Sequence, residues 1–138
     1  MHVSKIAIIK ITHNLLNCGV AAIWLANGLL CKVLNFVPRH QQIVGRILGD
    51  HYARSLTIVI GLSEIFMALW ILSRYKTKLN AVAQITIIAT MNTLEFILAP
   101  DLLLWGKFNS VFALILILVI YVNEFHLNKK QTSQCCHF

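Results

Sequence analysis

The sequence predicts an all-α integral membrane protein: a four-helix bundle with a short interfacial amphipathic helix between spans one and two. Three observations carry that prediction. The chain is 58% hydrophobic and only 12% charged, about half the roughly 25% charge of a soluble domain. Its mean hydropathy is +0.73. Its apolar residues fall into four long runs, each about 20 residues, the length of helix that crosses a hydrocarbon core of about 30 Å. With 138 residues, the chain reads as a single membrane domain over 1–138.

Met1–Lys10 reads as an amphipathic lead-in. Lys5 and Lys10 resemble the basic start of a signal peptide, but the following apolar run is long and His13, Asn14 and Asn17 interrupt it, so it is expected to stay uncleaved. The first span is predicted over about 15–36, roughly 33 Å of helix. Its far part holds Asn27, Gly28, Cys31 and Lys32. Gly28 and Lys32 share a face at i, i+4, and so do Asn27 and Cys31. Ala21 and Gly28 are small enough to let another helix approach. Cys18 and Cys31 lie about 20 Å apart along one helix, too far to form a disulfide.

Pro38 breaks or restarts the helix. Ile43, Val44, Ile47 and Leu48 then recur at helical spacing, opposite Arg39, His40, Gln42, Arg46 and Asp50. That pattern predicts an amphipathic helix over about 39–52, too short and too charged to span. It either lies flat on lipid or acts as a lid that delivers Arg39, His40 or Arg46 to a site. The second span is predicted over about 53–73. Gly61, Glu64 and Ala68 fall on one stripe of it, so this face should meet other helices. After the basic turn Arg74–Lys78 comes the third span, about 80–99, which ends at Pro100. The fourth is predicted over about 108–125; its centre is apolar all round, as expected of a structural, lipid-facing helix. Glu124–Phe138 reads as a polar tail with Cys135, Cys136 and His137 near its end. Trp70 and Trp105 suit interface anchors, and Trp24 lies deeper.

Four spans put both termini on the side of the 74–78 turn. Seven of the twelve Lys and Arg residues fall there, which predicts cytoplasmic termini. The net charge of +7 is scattered between apolar runs, a pattern that orients a membrane protein and does not form a nucleic-acid surface. The six histidines form no mid-membrane pair on facing helices, so neither haem nor a metal is expected. No phosphate loop and no nucleophile motif is present, which disfavours an enzyme acting alone.

The chemically distinctive stretch is Asn92–Gly106, NTLEFILAPDLLLWG. Glu95 lies inside an apolar run and Asp101 follows the Pro100 break. An ionisable side chain in hydrocarbon costs at least about 2.5 kcal/mol, so it usually faces protein or water. Counting about 1.5 Å per residue from the far edge puts Asn27, Lys32, Glu64, Asn92 and Glu95 in the same half of the membrane, on three helices. Together with Asp101 they form the candidate cluster. It serves one of three roles: a buried knot that fixes helix register, a pocket for a polar or amphipathic molecule such as a quinone head group, or a proton or ion path through Glu64 and Glu95.

Several segments, in this order, resemble the DoxX-like family of small bacterial membrane proteins. They are Asn27–Lys32 (NGLLCK), Val37–His40 (VPRH), Arg46–Gly49 (RILG), Gly61–Glu64 (GLSE) and Leu94–Gly106 (LEFILAPDLLLWG). The resemblance covers about residues 13–125. It implies a four-helix protein of the inner membrane and, through the family's namesake, an accessory subunit linked to quinone and to a redox partner protein. The alternative is a small transporter or proton-coupled carrier that uses Glu64 and Glu95.

Overall fold

In the computed structural model, residues 2–103, 106 and 108–129 are described. Trp105, Lys107, Lys130 and the Cys135–Cys136–His137 group, all used in the sequence reading, lie outside the described residues. Among the described residues the chain is helical, and four stretches are long and apolar enough to cross a membrane: Ser4–Val33, Asp50–Ser73, Thr77–Leu98 and Phe108–Asn128. The architecture is the expected all-α four-helix bundle.

Helix α1 (His2–Leu25) runs without interruption into a π-helical segment, Ala26–Val33. The helix therefore begins well before Leu15, and the lead-in and the first span are one element. His13 and Asn17 do not interrupt it because both find partners across the bundle. His13 is 2% exposed, and its Nδ1 donates to Asn123 Oδ1 at 2.9 Å. Asn123 Nδ2 in turn donates to Asn17 Oδ1 at 3.0 Å. Buried polar groups are tolerated once they are hydrogen-bonded.

Helix α2 (Arg39–Leu48) ends at Gly49, whose φ of 98° lies where a Cβ would be strained. A 3₁₀ turn, Asp50–Tyr52, leads into α3 (Ala53–Ser73). Ile43, Val44 and Gly45 of α2 are buried, whereas Gln42 and Arg46 are exposed. The helix packs on α3 and reaches α4 (Thr77–Leu98). Cysteines introduced as Ile43→Cys and Ile47→Cys should therefore react slowly with an aqueous thiol reagent, and Gln42→Cys and Asp50→Cys quickly. Equal rates at all four positions would mean that α2 does not lie on the bundle.

The α3–α4 turn places Arg74 and Lys76 in left-handed conformations, and Trp70 Nε1 closes it with a bond to Tyr75 O at 2.8 Å. After a 3₁₀ turn at Pro100–Leu102, the last span comprises α5 (Phe108–Tyr121) and a second π-helical segment, Val122–Asn128. Glu124 thus belongs to the helix and not to a tail. It is 6% exposed and accepts hydrogen bonds from Thr77 Oγ1 at 2.6 Å and Asn128 Nδ2 at 2.9 Å.

The core joins Val20, Ala21 and Trp24 of α1 to Met67, Ala68 and Ile71 of α3, with Ala81 and Ile88 of α4 and Ile120 of α5. The tightest crossing brings Gly28 against Gly61. A Cβ on Gly28 would lie 2.5 Å from Gly61 O, and one on Gly61 would lie 2.8 Å from Gly28 O. Large apolar side chains such as Phe66, Leu69, Leu114 and Leu118 are exposed, more apolar surface than a soluble protein leaves uncovered.

Candidate functional site

The close Gly28–Gly61 approach sets the geometry of the site. It brings Lys32, one turn beyond Gly28, against Glu64, one turn beyond Gly61. Lys32 Nζ donates to Glu64 Oε1 at 2.5 Å, and both residues are buried. The π-helical winding of Ala26–Val33 is part of this arrangement; such segments recur at functional sites. The carbonyls at its end are capped by Arg54 of α3, which donates to Lys32 O at 2.8 Å and to Val33 O at 2.7 Å.

Lys32 and Glu64 stand at the polar end of a cavity of about 730 Å³. Asn27, Asn92 and Glu95 line the same space, so all five of the polar residues counted to equal depth come together around it. From α2, Arg39 and His40 enter the lining. Asn92 Nδ2 donates to Ile88 O at 3.0 Å and its Oδ1 accepts from Asn109 Nδ2 at 3.1 Å. Asn109, at the start of α5, went unnoticed in the sequence because one amide in an apolar run carries no periodic signal. Cys31 also faces the cavity. The other end is apolar. Leu16, Val20 and Ile23 of α1 face Phe112, Leu116 and Val119 of α5 across it.

Several polar atoms in this lining have no partner among the described residues. Glu64 Oε2 is buried without a donor, and Arg39 Nε and Nη1 are buried without an acceptor. Glu95 makes no ion pair among the described residues; the charges of Lys32, Arg39 and Glu64 act on it from a distance. Buried groups left in this state cost about 1–3 kcal/mol each, and more when charged.

Asp101 and Arg46 do not join the site. Asp101 sits on the exposed Pro100–Leu102 turn and pairs with Arg46 of α2, also exposed. That hydrogen bond holds the Asp101 carboxyl below its usual range. The reason is local: Pro100 ends α4 and the chain turns outward. The pair ties α2 to the α4–α5 connection, beside the cavity and not within it.

His40 is held neutral, with a pKa pushed down to about 4 by burial and then by the charges of Lys32 and Arg39. In the unfolded chain it takes its proton near pH 6.5. Between about pH 6.5 and 4 the unfolded state binds a proton that the folded state refuses. Stability is thus full above the unfolded value and falls as pH drops through this window. Removing the group with His40→Gln should flatten that part of the stability-against-pH curve. An unchanged curve, measured by thermal melting in detergent, would show that His40 ionises freely.

A second polar group lies at the other end of the bundle. Trp24 Nε1 donates to Gln84 Oε1 at 3.0 Å, and Gln84 Nε2 donates to Asn80 Oδ1 at 2.5 Å. Asn17, Thr77, Asn123 and Glu124 join Asn80 and Gln84 around a cavity of about 20 Å³, room for one water molecule. Its hydrogen bonds are closed within the protein, which suits a register-fixing role. The partners that join different helices are 47 to 110 residues apart in sequence, so no local pattern announces them.

A model of the DoxX-like family matches residues 21–122. No curated protein and no solved structure matches the chain.

Proposed function

The chain belongs to the DoxX-like family and is a multi-pass membrane protein, and from that premise we propose that it is an accessory membrane protein whose cavity binds an amphipathic small molecule. The observation that carries this reading is the divided lining: charged and amide groups at one end, apolar side chains of α1 and α5 at the other. Its volume suits a ligand of drug size. α1 meets the last span at the π-helical segment, and above that level the cavity separates α1 from α5, which offers an apolar tail a place between them. A quinone fits this class, with its carbonyls accepting from Arg39 and its isoprenoid tail along α1 and α5. A redox partner protein would then use the bound quinone as electron carrier. Purification in mild detergent followed by mass spectrometry of co-purifying small molecules tests the reading. A protein that retains no amphiphile, and takes up none when lipid or quinone is supplied, would overturn it.

A second reading, a proton-coupled carrier, is favoured by one observation: Glu95 faces the cavity without an ion-pair partner. It requires proton flux in sealed vesicles that Glu95→Gln or Glu64→Gln abolishes.

We further place both termini on the cytoplasmic side of the inner membrane, supported by the seven basic residues on that side. An impermeant thiol reagent added to sealed cells should miss Cys135 and Cys136. Labelling from outside would reverse the orientation.

A further inference from the structure

We propose that the head group held in the cavity is zwitterionic: a primary ammonium and an anionic group, carried on an apolar tail. This rests on the reading of the cavity as an amphiphile site and specifies the chemistry it selects.

The charges decide the matter. Lys32 and Glu64 neutralise each other at 2.5 Å. That leaves one cation, Arg39, and one anion, Glu95, in the lining, with no ion pair between them among the described residues. A charge removed from water is costly unless paired. A neutral head group leaves both charges uncompensated. An anion satisfies Arg39 and adds repulsion at Glu95, and a cation does the reverse. A head group with both signs compensates both.

The hydrogen-bond inventory points the same way. Arg39 offers two buried N–H groups, on Nε and Nη1, without an acceptor. They lie on different edges of the guanidinium, so each can give an anionic oxygen a charge-assisted hydrogen bond of its own. Glu64 Oε2 is a buried acceptor without a donor. A primary ammonium carries three donors, enough for Glu95 and for Glu64 Oε2. A quaternary ammonium has none, so a choline head would leave Glu64 Oε2 as it is. The chemistry is therefore that of phosphoethanolamine, either as a lipid head group, with its chains along α1 and α5, or as a free solute.

Cys31 faces the cavity and Cys18 faces outward, which supplies a reporter. In the full chain with Cys18→Ser, Cys135→Ser and Cys136→Ser, maleimide labelling of Cys31 reads occupancy, and native mass spectrometry reads retained lipid. The protein is placed in nanodiscs of phosphatidylglycerol, alone or with added phosphatidylethanolamine, phosphatidylcholine or a quinone. Phosphatidylethanolamine should slow labelling and remain bound; phosphatidylcholine and phosphatidylglycerol should do neither. Arg39→Gln and Glu95→Gln should each weaken retention by about tenfold or more, the loss of one charge-assisted hydrogen bond. Arg39→Lys and Glu95→Asp, which keep the charges, should still bind and so control for folding. Soluble phosphoethanolamine added to phosphatidylglycerol discs separates the sources: protection by it marks the free solute, and its failure beside successful lipid marks the lipid. Equal protection by phosphatidylglycerol, or retention unaffected by Arg39→Gln and Glu95→Gln, overturns the zwitterion. Protection by quinone alone also overturns it while leaving the amphiphile reading intact. No protection and no retained lipid in any disc overturns both.

Discussion

Gly61→Leu should unfold the bundle or lower its melting temperature steeply, and Gly28→Leu should do the same. A first side-chain atom on Gly61 would stand 2.8 Å from Gly28 O, 2.9 Å from Lys32 Cβ and 3.0 Å from Val33 Cγ2. The nearest of these is backbone, which cannot swing aside as a side-chain tip can. Relief requires α1 and α3 to separate along the crossing. Inserting extra carbons into a packed interior costs about 1–3 kcal/mol and sometimes more. Here the cost is compounded, since separation of the helices also lengthens the Lys32–Glu64 contact that the crossing creates. Even Gly61→Ala should be harmful. The contrast is Gly19→Ala, also on α1, where a Cβ meets nothing within 4 Å and stability should barely change. The two close glycines should also behave as a unit. Once one substitution has parted the helices, the second finds room, so the double variant should lose less than the sum of the singles. Thermal melting in one detergent of the leucine and alanine single variants, the double variant and Gly19→Ala reads the result. Full additivity of Gly28→Ala and Gly61→Ala would mean that the helices do not cross there.

This crossing was legible in the sequence, and the reason is physical. Ala21 and Gly28 on one helix, and Gly61, Glu64 and Ala68 on another, are small residues at helical spacing beside a carboxylate. In a membrane such a face has little to offer lipid and much to offer another helix. The bounds of α3 were equally plain, because Asp50 and Arg74 flank a run in which Glu64 is the one charged residue after Arg54. The start of α1 and the end of the last span were not. His13, Asn17 and Glu124 look like interruptions to any local reading, and only their partners, Asn123 and Thr77, make them interior groups. Those partners lie on other helices, so the signal is in the three-dimensional pairing and not in the spacing. The candidate site divides along the same line. Depth counted along a helix correctly grouped Lys32, Glu64, Glu95, Asn27 and Asn92, since helical rise is fixed. Asp101, joined to that group for its place just after Pro100 and not by depth, is set apart from it, because Pro100 turns the chain out of the helix toward Arg46. Which acid pairs with Lys32 was also beyond reach. Counted along the helices, Glu95 at about 5 Å lies nearer the depth of Lys32, about 6 Å, than Glu64 at about 12 Å, and only the azimuth set by the glycine crossing selects Glu64.

That selection yields the sharpest energetic expectation. Lys32→Met should strip Glu64 of its only hydrogen-bond donor among the described residues, since Glu64 Oε2 has none among them even in the intact protein. Removing one member of a buried ion pair costs about 3–5 kcal/mol, mostly the penalty of the charge left behind. Glu64→Gln alone should also be costly, because it strands the Lys32 ammonium. The double variant Lys32→Met with Glu64→Gln removes both charges and should recover much of the loss. Residues in contact couple by about 0.5–3 kcal/mol, whereas separated ones add within about 0.3–0.5 kcal/mol. The same cycle run with Glu95→Gln should give a smaller coupling, because Glu95 faces the cavity without an ion pair to Lys32. Melting curves of the intact protein, the three single variants and the two double variants decide between a general acidic environment and a specific partner. If the Lys32–Glu95 cycle couples more strongly than the Lys32–Glu64 cycle, the pairing described here is wrong. If both cycles are additive, the polar groups are independent. If instead the single variants fold normally but release a bound amphiphile, Lys32 and Glu64 act chiefly to shape the cavity for its occupant, and their stabilising role is secondary.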